Sequence, residues 1–592
     1  MYKSLLLIIF TLIAVLIKAQ EQNFISIHQI QQQQYGAYGD KSEAFFDSIS
    51  GFKFIKKSLN PKAEMAKRVF GYHPYWGGSN YLNYQWDKLT DLCYFSYEVD
   101  PSTGLPATIH EWETSPAIDS ALANGVRVHL CVTLFSGHAT FFGSATAQQN
   151  LIDQIISLIQ IRGAQGVNID VEALPLTQSE NFNNFMVNLC LQMDTEIPDA
   201  EASIAAPAVN WSNKFNIPLL KDYIDFFMVM AYDYYWGGSG EAGPVSPLYS
   251  MENYYDYSFS KTISYYQSQG VPDSMLLMGV PYYAYQWPTE NQLAPSSTTG
   301  NGSAFTYANV MNNGSGFYSP ENKHREPNSF APYYAFQTSG WNQCFLDDKY
   351  SMGKKFDIVN YRNLGGIGIW ALGYDNGYND FWDLIGEKFT AGYDIMIADT
   401  IFDSGGPSWD YYNDEGYSFT VKTPENTQVH LSFSYLETEV DYDTLWIFDG
   451  IDTTAPLIGY FSGDSIPPLI IASGNALTLY FTSDAATTAS GWRAVYDTLP
   501  VSGISEREPF QDLVVYPNPA TNYITIYNPQ FSSLKNVTGM LLDLSGQCLS
   551  EFNIPAFQSF VKLHISNIPH GTYFIQINSN KEDHLITKFV KQ

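Results

Sequence analysis

Positive charge is scarce in this 592-residue chain: 30 Lys and Arg stand against 60 Asp and Glu, a formal net charge of -30. Such a balance disfavours polyanionic partners, nucleic acid among them, and is compatible with a neutral polysaccharide. Cysteine is also sparse. The five residues Cys93, Cys131, Cys190, Cys344 and Cys548 are odd in number, scattered and mostly set in apolar stretches. They are expected to be buried free thiols rather than a disulfide framework, even in an exported protein. Long apolar runs are nearly absent. The one at the start, Leu5 to Ile17, follows the single charge of Lys3 and precedes the small Ala19. That is the layout of a secretory signal peptide (1–19), too short for a comfortable membrane span, with cleavage expected near Ala19. With no second run of spanning length, the mature protein is expected to be soluble and to lack a transmembrane segment. Residues 20–65 are polar, carry the run Gln31 to Gln34 and lack sustained periodicity, and they read as an N-terminal leader or linker.

What is present is apolar and aromatic. A hydrophobic fraction of 45% permits several well-formed cores. Aromatics reach 16%, with 43 Tyr and 12 Trp, more than a core needs. Flat apolar faces suit sugar-binding clefts, although richness in tyrosine is also a habit of secreted proteins. From Val69 onward, strand-like segments recur: Val69–Tyr72, Asp91–Val99, Val128–Phe135, Gly166–Glu172, Ala202–Pro207, Ile224–Tyr232, Met275–Pro281 and Gly366–Leu372. Helical stretches separate most of them, which predicts an α/β fold, a (β/α)8 TIM barrel over 66–392. In the fourth strand Val167, Ile169 and Val171 point one way, and Asn168, Asp170 and Glu172 the other. Helix-spaced apolar residues flank it, Leu151, Ile152, Ile155, Ile156 and Ile159 before and Phe182, Phe185, Met186, Leu189 and Met193 after. In a barrel the polar row faces the interior and places Glu172 at the carboxyl end, where such barrels keep their active sites. By itself the strand is equally consistent with a buried, hydrogen-bonded polar row in an unrelated barrel.

The fourth strand resembles the D-x-x-D-x-D-x-E signature of family 18 glycoside hydrolases, the chitinase family, read as Gln165, Asn168, Asp170 and Glu172. The last two match and the first two depart. Further stretches resemble the family in the same order: Gly71-Tyr72-His73-Pro74-Tyr75-Trp76, Met230-Ala231-Tyr232-Asp233, Gly243 to Tyr249, Gly279 to Tyr283, Asp347-Asp348 with Ser351 and Lys355, and Gly365 to Trp370. The resemblance implies hydrolysis with retention in which the substrate's own acetamido group is the nucleophile. Glu172 would be the general acid and then base, Asp170 would orient the acetamido N–H, and Tyr232 would hold its oxygen. Tyr72, Asn168, Met230, Asp233 and Trp370 would bind substrate, Trp370 as an apolar floor. No cofactor is implied for catalysis. Two carboxyls two positions apart on one face resist simultaneous ionisation, so one should keep its proton to higher pH. Gln165 is read as structural, and Asn168 as a change that alters pH dependence rather than removing activity. An α+β insertion is implied within Trp287–Gln343, between strands seven and eight, with Pro295–Ser303 expected to be mobile. The readings are a secreted hydrolase of β-1,4-linked N-acetylglucosamine polymers, an endo-β-N-acetylglucosaminidase acting on glycoprotein or cell-wall glycans, or a non-catalytic chitin-binding lectin-like protein.

Beyond the barrel, residues 398–497 alternate apolar and polar in short segments, as an antiparallel β-sandwich does. Tyr442 to Gly450, Phe481 to Asp484 and Gly491-Trp492 resemble a CUB domain without its cysteines. That resemblance implies a Ca²⁺ site at Glu439, Asp443 and Asp484, and acids that merely decorate turns are an equal alternative. After a 498–510 linker, Tyr516 to Ala520, Leu544 to Gln547 and Gly571 to Ile575 resemble the sorting domain of the type IX secretion system (511–592). It implies a second β-sandwich, the type IX machinery as a partner, and a secreted or cell-surface location.

Overall fold

Runs such as Phe226-Phe227-Met228-Val229-Met230, apolar on both faces, demand cover on both sides and so belong to a parallel sheet wrapped by helices. The computed structural model describes residues 24–39, 41–55, 61–251, 256–392, 398–500, 513–528, 537–544, 546–554, 560–578 and 584–592. The expected signal peptide and most of the 498–510 linker lie outside them. Eight parallel strands form the barrel: β1 (Arg68–Pro74), β2 (Asp91–Val99), β3 (Arg127–Leu134), β4 (Gly166–Val171), β5 (Glu201–Pro207), β6 (Phe226–Met230), β7 (Leu276–Pro281) and β8 (Gly366–Trp370). They pair in sequence order and β8 returns to β1, so no barrel edge is left open. All eight coincide with the predicted segments to within a few residues.

At the amino-terminal mouth Arg68 bridges Asp91 and Glu201, Arg127 meets Glu201 at 2.6 Å, and His129 lies 2.9 Å from Asp91. Gln165 belongs to this end: its side-chain oxygen accepts from the Val128 N–H at 2.7 Å, the structural role expected of it. In the interior Gly368 on β8 leaves space for Met228, whose sulfur would lie 2.3 Å from any Cβ placed there. Covering helices bury their predicted stripes. Ala145–Arg162 buries Leu151, Ile152, Ile155, Ile156 and Ile159 and stops at Gly163, whose φ of 60° no other residue adopts as readily.

The connection between β7 and β8 folds into a five-stranded antiparallel sheet with the helix Tyr307–Met311, the expected α+β insertion. The expected mobile stretch is tied down instead, because Ser296–Ser297 pairs with Glu241–Ala242. Two four-stranded antiparallel sheets over 398–500 form a sandwich that shares its core with the barrel. Tyr361 stacks on Phe419 with ring centroids 4.5 Å apart and bonds to the Tyr496 hydroxyl at 2.8 Å, and the Arg362 guanidinium lies 3.2 Å from the Tyr417 ring centre. The C-terminal residues form separate three- and four-stranded sheets around Ile524, Ile526, Ile575 and Phe589. Four cysteines are buried free thiols, whereas Cys548 is exposed because it opens an edge strand facing outward. Among the described residues no helix is long and apolar enough to cross a membrane.

The N-terminal stretch departs from the aperiodic leader. Its described residues hold two helices, α1 (Ile27–Gly36) and α2 (Glu43–Ser50). Helices this short are marginal alone and draw their stability from what they dock against. Here that is the carboxyl-terminal mouth of the barrel.

One buried ion pair tests the barrel's packing. Lys355, on the helix Lys349–Tyr361, meets Asp347, just before that helix, at 2.6 Å, both shielded from water, and Asp348 and Ser351 open the helix with a capping box. Removing one partner strands the other charge, so Asp347→Ala should destabilise the protein by about 3–5 kcal/mol, read from the urea midpoint.

Candidate active site

Strand register builds the site. β4 lies between β3 and β5, so Asn168 stands beside Ser203 and Asp170 beside Thr133. Asn168 is buried, accepts from the Tyr72 hydroxyl at 2.7 Å and donates to Ser203 Oγ at 2.9 Å. Both its hydrogen-bonding ends are used, which fixes the floor under Asp170. Asp170 is fully buried and Glu172, the first residue past β4, is 7% exposed. Oxygens of the two carboxyls lie within 4.8 Å of each other, and Asp170 Oδ1 and Glu172 Oε1 are buried without a hydrogen-bond partner. Burial pushes both well above the usual carboxylate range, and for Glu172 the neighbouring Asp170 pushes further. The pair therefore holds a proton near neutrality that a free carboxyl would release.

The other predicted residues ring the pair. Tyr232 and Asp233 follow β6, with Asp233 at φ 57°; its carboxylate accepts from the Tyr283 hydroxyl, and burial raises it to about 7. Trp370 ends β8 fully buried, Tyr72 leans on it at 5.4 Å, and Met230 closes β6 half-buried. The mouth can therefore hold one flat, amide-bearing group: an acid, an acceptor for N–H, a phenol donor and an aromatic floor converge there.

That position is filled by α1. His28 Nδ1 lies 2.8 Å from Asp170 Oδ2 and 3.3 Å from Glu172 Oε1, its Nε2 lies 2.8 Å from the Tyr232 hydroxyl, and its ring stacks on Trp370 at 3.5 Å. The Ile27 N–H donates to Asp233 Oδ2 at 3.0 Å. Gln31 Oε1 accepts from Trp370 Nε1 at 3.0 Å and from the Tyr374 hydroxyl at 2.8 Å. His28, Gln31 and Tyr35 were not singled out in the sequence, where the glutamine run obscured them. A helix start was written there nonetheless. Ser26 followed by Gln29 has the spacing of a capping box, and Ser26 Oγ accepts from the Gln29 N–H at 3.1 Å.

In the sandwich the acidic oxygens of Glu439, Asp443 and Asp484 lie within 4.8 Å of one another. Glu439 Oε2 is buried without a hydrogen-bond partner, an arrangement that fits a hard cation.

An eight-stranded α/β barrel with a proton-holding carboxyl pair at its carboxyl-terminal mouth defines the class of barrel glycosidases. Residues 68–375, more than half of the chain, match the model of Glycosyl hydrolases family 18, and the chain belongs to that family. Residues 392–496 match the CUB domain and 514–592 the Secretion system C-terminal sorting domain, the tail of proteins sent by the type IX route to the cell surface or the extracellular space. The chain is similar to the "Cortical fragment-lytic enzyme" of Bacillus anthracis, 22% identical over 318 residues, covering 51% of this chain and 68% of that one. It is also similar to the "Probable endochitinase" of Caenorhabditis elegans, 24% identical over 269 residues, covering 41% and 42%. The chain spans about half the length of the first curated relatives it matches. Among solved structures, Ostrinia furnacalis Group IV chitinase in complex with allosamidin aligns at a TM-score of 0.47 and 20% identity, over 54% of this chain and 95% of that one.

The His28 contacts carry a pH signature. Burial outweighs the pull of Glu172 and lowers His28 to about 4, against 6.5 when free. An undocked His28 therefore takes up a proton that the docked one refuses between those values, so docking weakens as pH falls from 6.5 toward 4. Amide exchange of Ile27–Gly36, corrected for its intrinsic rate, should accelerate across that window, and His28→Asn should flatten the dependence.

Proposed function

We propose that this chain is an exported glycosidase that cleaves β-1,4-linked N-acetylglucosamine polymers with retention, the substrate's acetamido group serving as nucleophile. The observation that carries the reading is the Asp170–Glu172 pair, buried, closely spaced and proton-holding, at the mouth that Tyr232 and Trp370 line. Glu172 in its acid form protonates the glycosidic oxygen as the C1–O bond breaks. The acetamido oxygen, held by the Tyr232 hydroxyl, bonds to C1 and gives an oxazolinium ion. Its N–H points to Asp170, whose negative charge stabilises that ion. Glu172, now a carboxylate, takes a proton from the water that opens the ring at C1 and returns to its acid form. Trp370 supplies the flat floor for the distorted sugar.

Asn168 leaves this scheme intact. It supplies no carboxyl, but its bonds to Tyr72 and Ser203 hold the floor without sharing a proton with Asp170. A second reading, an endo-β-N-acetylglucosaminidase of cell-wall glycan, is favoured by the 318-residue similarity to a cortical fragment-lytic enzyme. Both readings need the N-acetyl group. The lectin-like reading is the weakest, because the acid Glu172 is retained in the pair.

For the sandwich we propose a Ca²⁺ site formed by Glu439, Asp443 and Asp484 and a role in positioning the barrel on its target. The ion would neutralise three crowded acids and brace the loops that carry them. Calcium should raise the melting temperature of the full chain, and Asp484→Ala should abolish the increase.

Glu172→Gln should lower kcat by about 10²–10⁴-fold with a smaller change in KM, the range general-acid catalysis supplies. Mass spectrometry of products separates the two readings: short oligomers from N-acetylglucosamine polymers, or fragments from peptidoglycan. Wild-type rates from the Gln variant would remove Glu172 from its role.

A further inference from the structure

The barrel is shaped around residues 24–39 and 41–55 as closely as around a ligand. His28 presents to the mouth what an acetamido group would. Neutral, it offers an Nδ1–H to the Asp170 carboxylate at 2.8 Å, an acceptor nitrogen to the Tyr232 hydroxyl at 2.8 Å, and a flat face to Trp370 at 3.5 Å. Gln31 adds a side-chain amide, its oxygen accepting from Trp370 and Tyr374. One helical turn further on, Tyr35 lies over Trp76, ring centroids 4.8 Å apart and planes 8° apart, as a second sugar ring would. α2 then clamps the segment to the rim: the Asp47 carboxylate accepts from the Ser79 N–H and hydroxyl, both at 2.7 Å, and Asn83 bonds to the backbone at Lys53 and Ile55. Two rim glycines make room for it. A Cβ at Gly78, with φ 53°, would meet Asp47 Oδ1 at 2.4 Å, and one at Gly377, with φ 88°, would meet Ile55 at 2.1 Å. Buried hydrogen bonds, a stacked imidazole and matched glycines go beyond what holding a loose leader requires.

We propose that residues 24–55 are an autoinhibitory plug, so that the chain is latent while the segment is attached, with His28 standing in for the acetamido group of the substrate. The proposal deepens the glycosidase reading and rests on it for the identity of the displaced ligand. Removal of a signal peptide near Ala19 leaves the plug in place. A second cut, at the end of the clamp near Lys53, opens the mouth. The tether explains how a short helix can close the cleft: attached, it faces its site at an effective concentration in the millimolar range, and once cut it diffuses away. A segment that binds at about 100 μM in trans thus holds the cleft closed about tenfold in cis.

The test uses the full chain. Trypsin is titrated against it to cut after Lys53, which is exposed, and release of the segment is followed by mass spectrometry. In parallel, uncut His28→Ala and Gln31→Ala chains are assayed on a fluorogenic N-acetylglucosamine trisaccharide. A synthetic peptide of residues 24–37, with and without His28→Ala, is titrated into the clipped protein while tryptophan fluorescence and hydrolysis are read. A gain in kcat/KM of about tenfold or more on clipping or on His28→Ala is expected. The native peptide should reverse the gain competitively and the His28→Ala peptide should not. Equal rates before and after clipping, with no fluorescence change on adding peptide, would overturn the plug. Peptide binding that needs His28 in a clipped chain that hydrolyses nothing would uphold the plug and overturn the glycosidase reading instead. A His28→Ala chain that misfolds leaves the clipping and peptide arms to decide.

Discussion

Two carboxyl groups held side by side away from water are the constraint on which the rest of this molecule depends. Neither Asp170 nor Glu172 can ionise freely, because burial disfavours the charge and the neighbour repels it. The barrel tolerates them only because it surrounds them with partners: Asn168 pinned by Tyr72 and Ser203 below, Tyr232 and Asp233 from β6, and the indole of Trp370 from β8. The same polar residues that make β4 awkward as a core strand make it useful as a site. The closed sheet turns a local cost into a fixed geometry, since every strand is registered against two others.

Much of this was written plainly in the chain. Alternation in Val167 to Glu172 specified which side chains face inward, and the helical stripe of Leu151 to Ile159 specified a covering helix and hence a parallel sheet. Met230, Tyr232, Asp233 and Trp370 were named from motifs, because each sits at or just past the end of a strand whose apolar run fixes its position. The N-terminal helices were hidden for a physical reason. α1 and its cap bury Ser26, Ile27, His28 and Gln31, a mostly polar set, and the hydrogen-bond partners of α1 in the barrel lie 142 to 343 residues away in sequence. A helix that is stabilised by matching polar groups on another surface leaves no hydrophobic period to read. The pinning of Ser296–Ser297 by Glu241–Ala242 was hidden similarly, since two-residue pairings carry no pattern of their own.

The occupied mouth changes how the sequence departures are weighed. Asn168 would ordinarily be judged by what it does to a proton shared with Asp170. In this structure the second partner of Asp170 is an imidazole, and the neutral His28 ring satisfies Asp170 and Tyr232 at once without adding charge to the pocket. The polarity of the mouth is thus preserved in the closed state by a group that mirrors an amide, and the aromatic floor stays covered by a flat ring rather than by water.

The joint between barrel and sandwich has a mechanical meaning. Tyr361 sits in both domains at once, its ring stacked on Phe419 and its hydroxyl on Tyr496, while Arg362 presses on Tyr417. A shared core of this kind does not pivot. The sandwich is carried as an outrigger, so any hold it takes on a solid surface lies at a constant distance and bearing from Glu172. The pair of domains then works as a ruler rather than a leash: any point on the sandwich keeps one separation from the mouth of the barrel.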